Sequence, residues 1–171
     1  IDSLVEIIRS GRLSQPAQLL VRGHPNRISL EASVKIKERY KDANDVRFQD
    51  PSCAYKALSD AAWDSQSGDE YELAGAISAA DVVVTMGSTI ILDAAALKRP
   101  VVNMMFDGGD VNSPFLSVKK YLSYTHYIKI ARTRAFKTAY TPQEMEAYID
   151  HYLRDGSQEA KERQALVAME C

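Results

Sequence analysis

The sequence predicts an α/β fold built on an open parallel sheet with helices on both faces. Two short apolar runs, residues 82–84 and 101–106, are rich in valine and suit strands that are buried on both faces of such a sheet. Between them, residues 90–97 include three consecutive alanines, which are strong helix formers, and Pro100 ends the helix. The resulting strand–helix–strand unit connects parallel strands by a right-handed crossover.

The turn between the first of these strands and the helix is the first candidate site. Gly87 has no Cβ, so the backbone can turn sharply there and approach a ligand closely. Ser88 or Thr89 can cap the helix, leaving outward-facing N–H groups that favour a phosphate or diphosphate. Asp93 lies four residues after Thr89, about one turn along the same face, within reach of a sugar hydroxyl. A well-capped helix with a solvated Asp93 fits the same residues, and the spacing does not separate the two interpretations.

A second candidate site follows the apolar run 18–21, which we predict to be a strand. Arg22 and His24 come directly after it, and ligands in open α/β sheets bind beyond the carboxyl ends of strands. A lone histidine before a proline is more often a loop residue, but this location favours a site. Asp107 begins an acidic loop after the strand 101–106, where it either contacts a sugar or simply turns the chain.

The remaining elements are predicted from apolar spacing and from helix-start signals. Helices are expected at residues 1–8, 29–40, 70–80, 142–154 and 157–169, and further strands at 46–49 and 127–131. Thr141 is a good N-cap, with Pro142 at the first helical position and Glu144 three residues on. Residues 114–126 are rich in tyrosine and lysine, including Lys119, Lys120 and Tyr121, and we expect them to face an acceptor or a partner domain.

Composition limits the classes of function. The 171 residues suit one domain with a real core, and a net charge of −2 without a basic stripe argues against nucleic acid as a partner. No apolar run approaches the ~20 residues needed to span a bilayer. Cys53 and Cys171 fit a reducing cytoplasm, and their separation does not suggest a metal site. The signatures of zinc proteases, zinc sites, P-loop ATPases and α/β-hydrolases do not occur.

Together these residues resemble the C-terminal, donor-binding domain of a GT-B-fold glycosyltransferase, over about residues 19–163. The turn and helix from Gly87 through Asp93 to Pro100 are similar to those of the family, in which an acid lies six positions after the glycine and a proline seven positions later. Residues 22–25, R-G-H-P, resemble a segment of the CDP-glycerol glycerophosphotransferase-like branch. Residues 141–145, Asp155-Gly156 and Arg163 are similar to that branch's closing helices.

The resemblance implies a Rossmann-like half of a GT-B fold and a set of site residues. The turn and the helix N-terminus would hold the nucleotide diphosphate, with hydroxyl groups from Ser88 and Thr89, and Asp93 would bind the ribose. His24 lies at the donor site in that branch, so it is the catalytic candidate. Arg22 and Asp107 complete the predicted donor-binding set. Backbone N–H groups would stabilise the departing diphosphate, so no metal and no cofactor are expected.

The resemblance also implies partners and a location. The branch that uses CDP-glycerol has a T-D-Y-S-S type turn, whereas residues 85–89 of this chain read T-M-G-S-T. This difference favours a nucleotide sugar over CDP-glycerol as the donor. A glycan or lipid-linked acceptor in surface polysaccharide synthesis would bind through an N-terminal domain. We therefore expect residues 1–171 to be one domain of a longer protein, inactive alone, in the cytoplasm or at the inner face of the membrane.

Two alternatives stay open at this point. A non-hydrolysing UDP-N-acetylglucosamine 2-epimerase uses the same fold, but it is expected to have a Ser-Gly-Gly turn and a Glu-Glu pair. Ser88-Thr89 and Asp93-Ala94 fit that pattern poorly. The other alternative is a nucleotide-binding or interaction domain without chemistry of its own.

Overall fold

A computed structural model describes residues 1–23, 27–51, 68–109 and 117–170. The helices are α1 (Asp2–Arg9), α2 (Arg27–Arg39), α3 (Asp69–Ala79), α4 (Ile90–Ala96), α5 (Thr125–Ala131), α6 (Pro142–Arg154) and α7 (Ala160–Glu170), with a 3-10 helix at Val118–Ser123. The strands are β1 (Leu19–Arg22), β2 (Val46–Gln49), β3 (Val83–Thr85), β4 (Val101–Met104) and β5 (Lys137–Ala139). Within the described ranges, none of the helices combines the length and the apolar character that a membrane crossing requires.

Every strand pairing in the described residues is parallel, which confirms the predicted fold class. β1 pairs with β2 in a two-stranded sheet, and β3, β4 and β5 form a three-stranded sheet with β4 in the centre. Helices alternate with the strands along the chain, so the architecture is α/β and compatible with a Rossmann-like open sheet. The chain divides into two compact units, residues 1–11 with 16–76 and residues 12–15 with 77–171. The single domain predicted from length stays a prediction.

The first unit contains the two-stranded sheet. Leu19 pairs with Val46 and Arg22 pairs with Gln49, so both strands end at the same edge. α1 contacts β1, and its buried residues are Val5 and Ile7. An exposed ion pair joins Arg9 at the end of α1 to Asp45 just before β2. Such exposed pairs contribute little to stability, so α1 is held mainly by the apolar burial of Val5 and Ile7.

The second unit is built around β4, in which Val101, Val102 and Asn103 are buried. α4 covers β3 and β4, burying Ile91, Ala94 and Ala95. The small alanine side chains leave room for α7, which packs on α4 and buries Leu166. α6 packs against β4 and β5 and buries Met145 and Ile149.

One predicted strand is wrong. Residues 127–131 belong to α5, and the last strand is β5, six residues further along the chain. Tyr127 and Ile130 are each 3% exposed, and a spacing of three residues places both on one face of a helix. Tyrosine and isoleucine favour strands by intrinsic propensity, but packing of this face decides the element.

The start of α6 was predicted correctly. Thr141 is the N-cap, and its hydroxyl accepts a hydrogen bond of 3.1 Å from the backbone N–H of Glu144. The Glu144 carboxylate accepts in turn from the N–H of Tyr140 at 2.7 Å. Two backbone donors that the helix cannot satisfy internally are thus paired by side chains.

We expect Thr141→Ala to lower the free energy of unfolding by about 1 kcal/mol, because the N–H of Glu144 loses its acceptor. Urea unfolding of the chain measures this difference. Gln143→Ala, at an exposed position in the same first turn, is the matched control and should change stability little. Equal losses in the two variants would contradict a specific capping role for Thr141.

Candidate functional site

The turn between β3 and α4 has the sharp geometry that the sequence predicts. Gly87 is buried and has φ of +55°, in the left-handed region that favours glycine. A Cβ on Gly87 would lie 2.5 Å from Cβ and Cγ of Tyr121, so only glycine fits between the turn and this side chain. The glycine was predicted to allow the close approach of a ligand. In the structure, Tyr121 itself makes a close approach to this position.

Asn103 fixes the position of this turn. It lies on β4 and is fully buried, and its Oδ1 accepts a hydrogen bond of 2.7 Å from the Gly87 N–H. Its Nδ2 donates to the hydroxyl of Tyr127 on α5 at 2.8 Å. Burial raises the pKa of Tyr127 above its ordinary value. The role of Asn103 was not predicted from the sequence, although a single amide within the apolar run 101–106 indicates a buried polar contact.

Ser88, and not Thr89, provides the side-chain contact at the start of α4. The Ser88 hydroxyl accepts from the N–H of Ile90 at 3.3 Å, whereas the Thr89 side chain makes no capping hydrogen bond. The backbone N–H groups of Ser88 and Thr89 have no acceptor among the described residues. Two backbone donors therefore remain available next to a turn that Asn103 holds in place.

Asp93 is the acidic residue that remains available on α4. It is exposed, and its carboxylate makes no hydrogen bond or ion pair with any residue that the structure describes. Partial burial of the carboxyl group raises the pKa of Asp93 above its ordinary value. The carboxylate lies one helical turn from Thr89 and can accept a hydrogen bond from a ligand hydroxyl.

Asp107 has local partners. One carboxylate oxygen accepts from the backbone N–H of Val118 at 2.9 Å, and the other accepts from the hydroxyl of Ser117 at 2.7 Å. These two bonds, the first being the larger cause, lower the pKa of Asp107. They anchor the beginning of the 3-10 helix to the loop after β4. The role of Asp107 in donor binding stays a prediction.

The 3-10 helix carries the segment rich in tyrosine and lysine. The rings of Tyr121 and Tyr124 make an edge-to-face contact with centroids 5.4 Å apart. Nζ of Lys120 lies 5.3 Å from the centroid of the Tyr121 ring, a cation–π contact. Tyr124 is 41% exposed, and Tyr121 is partly exposed. This segment thus places aromatic and cationic groups beside the Gly87 turn.

Arg22 ends β1 in the first unit and is paired there. Its Nη2 lies 2.5 Å from Oδ1 of Asp69, and both side chains are 12% exposed. A carboxylate oxygen of Glu72 is 3.8 Å from Nη1. His24 lies outside the described residues. The predicted grouping of Arg22 and His24 with the Gly87 turn therefore stays a prediction.

A cavity of about 210 Å³ lies elsewhere in the second unit, beside the end of α4 and the start of α7. Arg163 lines it and is 3% exposed. Its guanidinium donates to the backbone carbonyls of Gln158 at 2.6 Å and Gly156 at 2.8 Å. Arg163 thereby holds the loop between α6 and α7.

No protein-family model matches this chain, and no curated protein is significantly similar to it. Among the residues that the structure describes, no group of three or more His, Cys, Asp and Glu side chains is arranged to hold a metal ion.

We expect Gly87→Ala to lower the free energy of unfolding by about 1–3 kcal/mol, because alanine is strained at positive φ and its Cβ would meet Tyr121. Urea unfolding measures the loss. Gly75→Ala on α3, where a Cβ has no neighbour within 4 Å, is the control and should be neutral or stabilising. Adding Tyr121→Ala to Gly87→Ala should recover the part of the lost stability that comes from the clash with Tyr121. The part that comes from the positive φ should remain lost. A Gly87→Ala variant as stable as wild type would contradict this geometry.

We expect Tyr127→Phe to cost about 1–3 kcal/mol, because Nδ2 of the buried Asn103 loses its acceptor. Thermal and urea unfolding measure the effect. The control is Tyr148→Phe, because Tyr148 is partly exposed and its hydroxyl has no described partner. This substitution should change the free energy of unfolding by no more than about 0.5 kcal/mol. Equal effects of the two substitutions would contradict the Asn103–Tyr127 bond.

Proposed function

We propose that this chain is the donor-binding domain of a GT-B-type glycosyltransferase that transfers a sugar from a nucleotide-diphosphate donor to a glycan or lipid-linked acceptor. The observation that carries the proposal is the turn after β3. The Gly87 N–H is held by the buried Asn103, while the next two N–H groups have no acceptor in the described part of the chain. The resemblance of this turn and helix to those of the family supports the same proposal.

The turn suits a diphosphate because its donors are held in place before the ligand arrives. Backbone N–H groups at a fixed turn bind phosphate oxygens without reorganisation, and they stabilise the charge that develops on a departing diphosphate. The hydroxyl of Ser88 accepts from Ile90 and keeps its own proton free to donate. α4 is only seven residues long, so these local donors carry more of the proposal than the helix dipole does.

Asp93 supplies the contact for the ribose in this proposal. Its carboxylate is exposed, one turn from the diphosphate donors, and without a described partner. A ribose hydroxyl donating to a carboxylate makes a charge-assisted hydrogen bond, which is stronger than a neutral one.

The remaining roles follow the family resemblance. His24 would contact the phosphate or the donor group as the catalytic residue, and Arg22 and Asp107 would complete the donor site. The acceptor and its base would come from an N-terminal domain, so the chain alone would bind a donor without transferring the sugar. The proposed location is the cytoplasm, at the inner face of the membrane where a lipid-linked acceptor is used.

We expect calorimetric titration of the chain with UDP, CDP, GDP and ADP to show binding of at least one nucleotide. Asp93→Ala should weaken that binding about five- to tenfold, because one hydrogen bond to the ribose is lost. Titration of the corresponding 2′,3′-dideoxynucleotide tests the same bond from the ligand side. The loss on removing the ribose hydroxyls should be much smaller in the Asp93→Ala variant.

Asp81→Ala is the matched control for this titration. Asp81 is exposed and lies just before β3, at the opposite end of that strand from the Gly87 turn. Its removal should leave nucleotide affinity unchanged. The proposal would be refuted if no nucleotide bound at millimolar concentration, or if Asp81→Ala and Asp93→Ala weakened binding equally.

A further inference from the structure

Charge is distributed unevenly along this chain. The net charge of the whole chain is −2, yet residues 111–143 contain six Lys and Arg residues and no Asp or Glu. The 3-10 helix and α5 lie in this range and pack on each other in the second unit. Their exposed cations are Lys119, Lys120 and Lys129, with Arg132 at the end of α5. The outer side of this pair of helices is therefore rich in positive charge.

Carboxylates from two other segments face some of these cations. Nζ of Lys129 lies 2.6 Å from Oε1 of Glu170 at the end of α7. Asp107, in the loop after β4, interacts electrostatically with Lys119. The side chain of Arg132 makes no hydrogen bond or ion pair with any residue that the structure describes. Positive charge on this side of the helices thus exceeds the negative charge that faces it.

Exposed apolar side chains lie among these cations. Leu122, Tyr124 and Ile128 are all exposed, whereas the opposite face of α5 is buried. The N–H of Ile128 donates to the carbonyl of Tyr124, and the N–H of Arg132 donates to that of Ile128. Tyr124, Ile128 and Arg132 therefore follow one another a turn apart on one face. In a 3-10 helix, residues three apart share a side, so Leu122 lies beside Lys119.

We propose that this cationic–apolar surface binds the headgroup region of an anionic lipid bilayer. The surface consists of Lys119, Lys120, Leu122, Tyr124, Ile128 and Arg132. Anionic headgroups attract lysine and arginine, aliphatic side chains enter the boundary between headgroups and acyl chains, and tyrosine favours the same boundary. This inference does not rest on the proposed function, because it requires no nucleotide.

Two other occupants match this surface less well. Single-stranded nucleic acid binds cations too, but its bases stack on the faces of aromatic rings. Here the rings of Tyr121 and Tyr124 contact each other, and the remaining exposed apolar groups, Leu122 and Ile128, are aliphatic. A second copy of this chain would bring the same cations together, and like charges repel. The combination of cations and aliphatic groups favours anionic lipid.

The test measures binding of the chain to lipid vesicles by flotation. One set of vesicles contains equal parts of phosphatidylcholine and phosphatidylglycerol, and the other contains phosphatidylcholine alone. We expect binding to the anionic vesicles only, and we expect it to weaken as the salt concentration rises, because salt screens exposed charges. Arg132→Gln should weaken this binding about fivefold, since one cation near the membrane surface is lost.

Lys161→Gln is the matched control for the charge. Lys161 is an exposed cation in the first turn of α7, at the opposite end of that helix from Glu170. Its removal changes the net charge as Arg132→Gln does, and it should leave vesicle binding unchanged.

Substitutions of Leu122 test the apolar part of the surface. Leu122→Ser should weaken binding to the anionic vesicles about fivefold, because less apolar area enters the bilayer. Leu122→Phe keeps an apolar side chain at the same position and should bind at least as well as wild type. Melting temperatures of all variants show whether any loss of binding comes from a loss of folding.

Three outcomes would overturn the inference. The first is that the chain does not bind the anionic vesicles at low salt. The second is that Arg132→Gln and Lys161→Gln weaken binding equally, or that Leu122→Ser does not weaken it. The third is that the vesicles stay unbound while Arg132→Gln weakens binding to oligouridylate, or while Leu122→Ser dissociates a dimer in sedimentation velocity. Each of these leaves the nucleotide titration unaffected, so the proposed function stands or fails separately.

Discussion

The candidate site depends on the two hydrogen bonds of the Asn103 side-chain amide. It joins the turn after β3 to β4 and to Tyr127 on α5, and all three groups are buried. An unpaired buried amide or N–H group costs about 1–3 kcal/mol, so the turn cannot move independently of the strand and the helix. The backbone at Gly87 is therefore positioned by the core of the second unit and not by the loop itself.

Polar groups around this turn divide into two sets. The first set makes hydrogen bonds inside the protein. Asn103 and Tyr127 hold the turn, and Asp107 holds the 3-10 helix. The second set makes no hydrogen bond with any described residue. It consists of the N–H groups of Ser88 and Thr89 and the carboxylate of Asp93. A preorganised site needs both sets, because donors bind an anion without reorganisation only when other contacts hold them.

Local sequence patterns correctly predicted those elements whose apolar spacing or capping residues form a strong signal over a few neighbouring residues. β2, the start of α4 and the capped start of α6 lie where the sequence placed them. Residues 127–131 were assigned wrongly because tyrosine and isoleucine favour strands, while the burial of Tyr127 and Ile130 on one helical face decided otherwise. Asn103 was overlooked because its partners are 16 and 24 residues away in the chain.

By itself, the sequence determined the α/β class and the strand–turn–helix around Gly87. Each of these follows from short-range periodicity, a proline or a glycine, which act over a turn or a strand. Only the tertiary structure decided that Asp107 holds the 3-10 helix, that Arg22 pairs with Asp69, and that Tyr121 lies against Gly87. Those contacts join residues 11, 47 and 34 positions apart, and no local pattern specifies which distant side chains packing brings together.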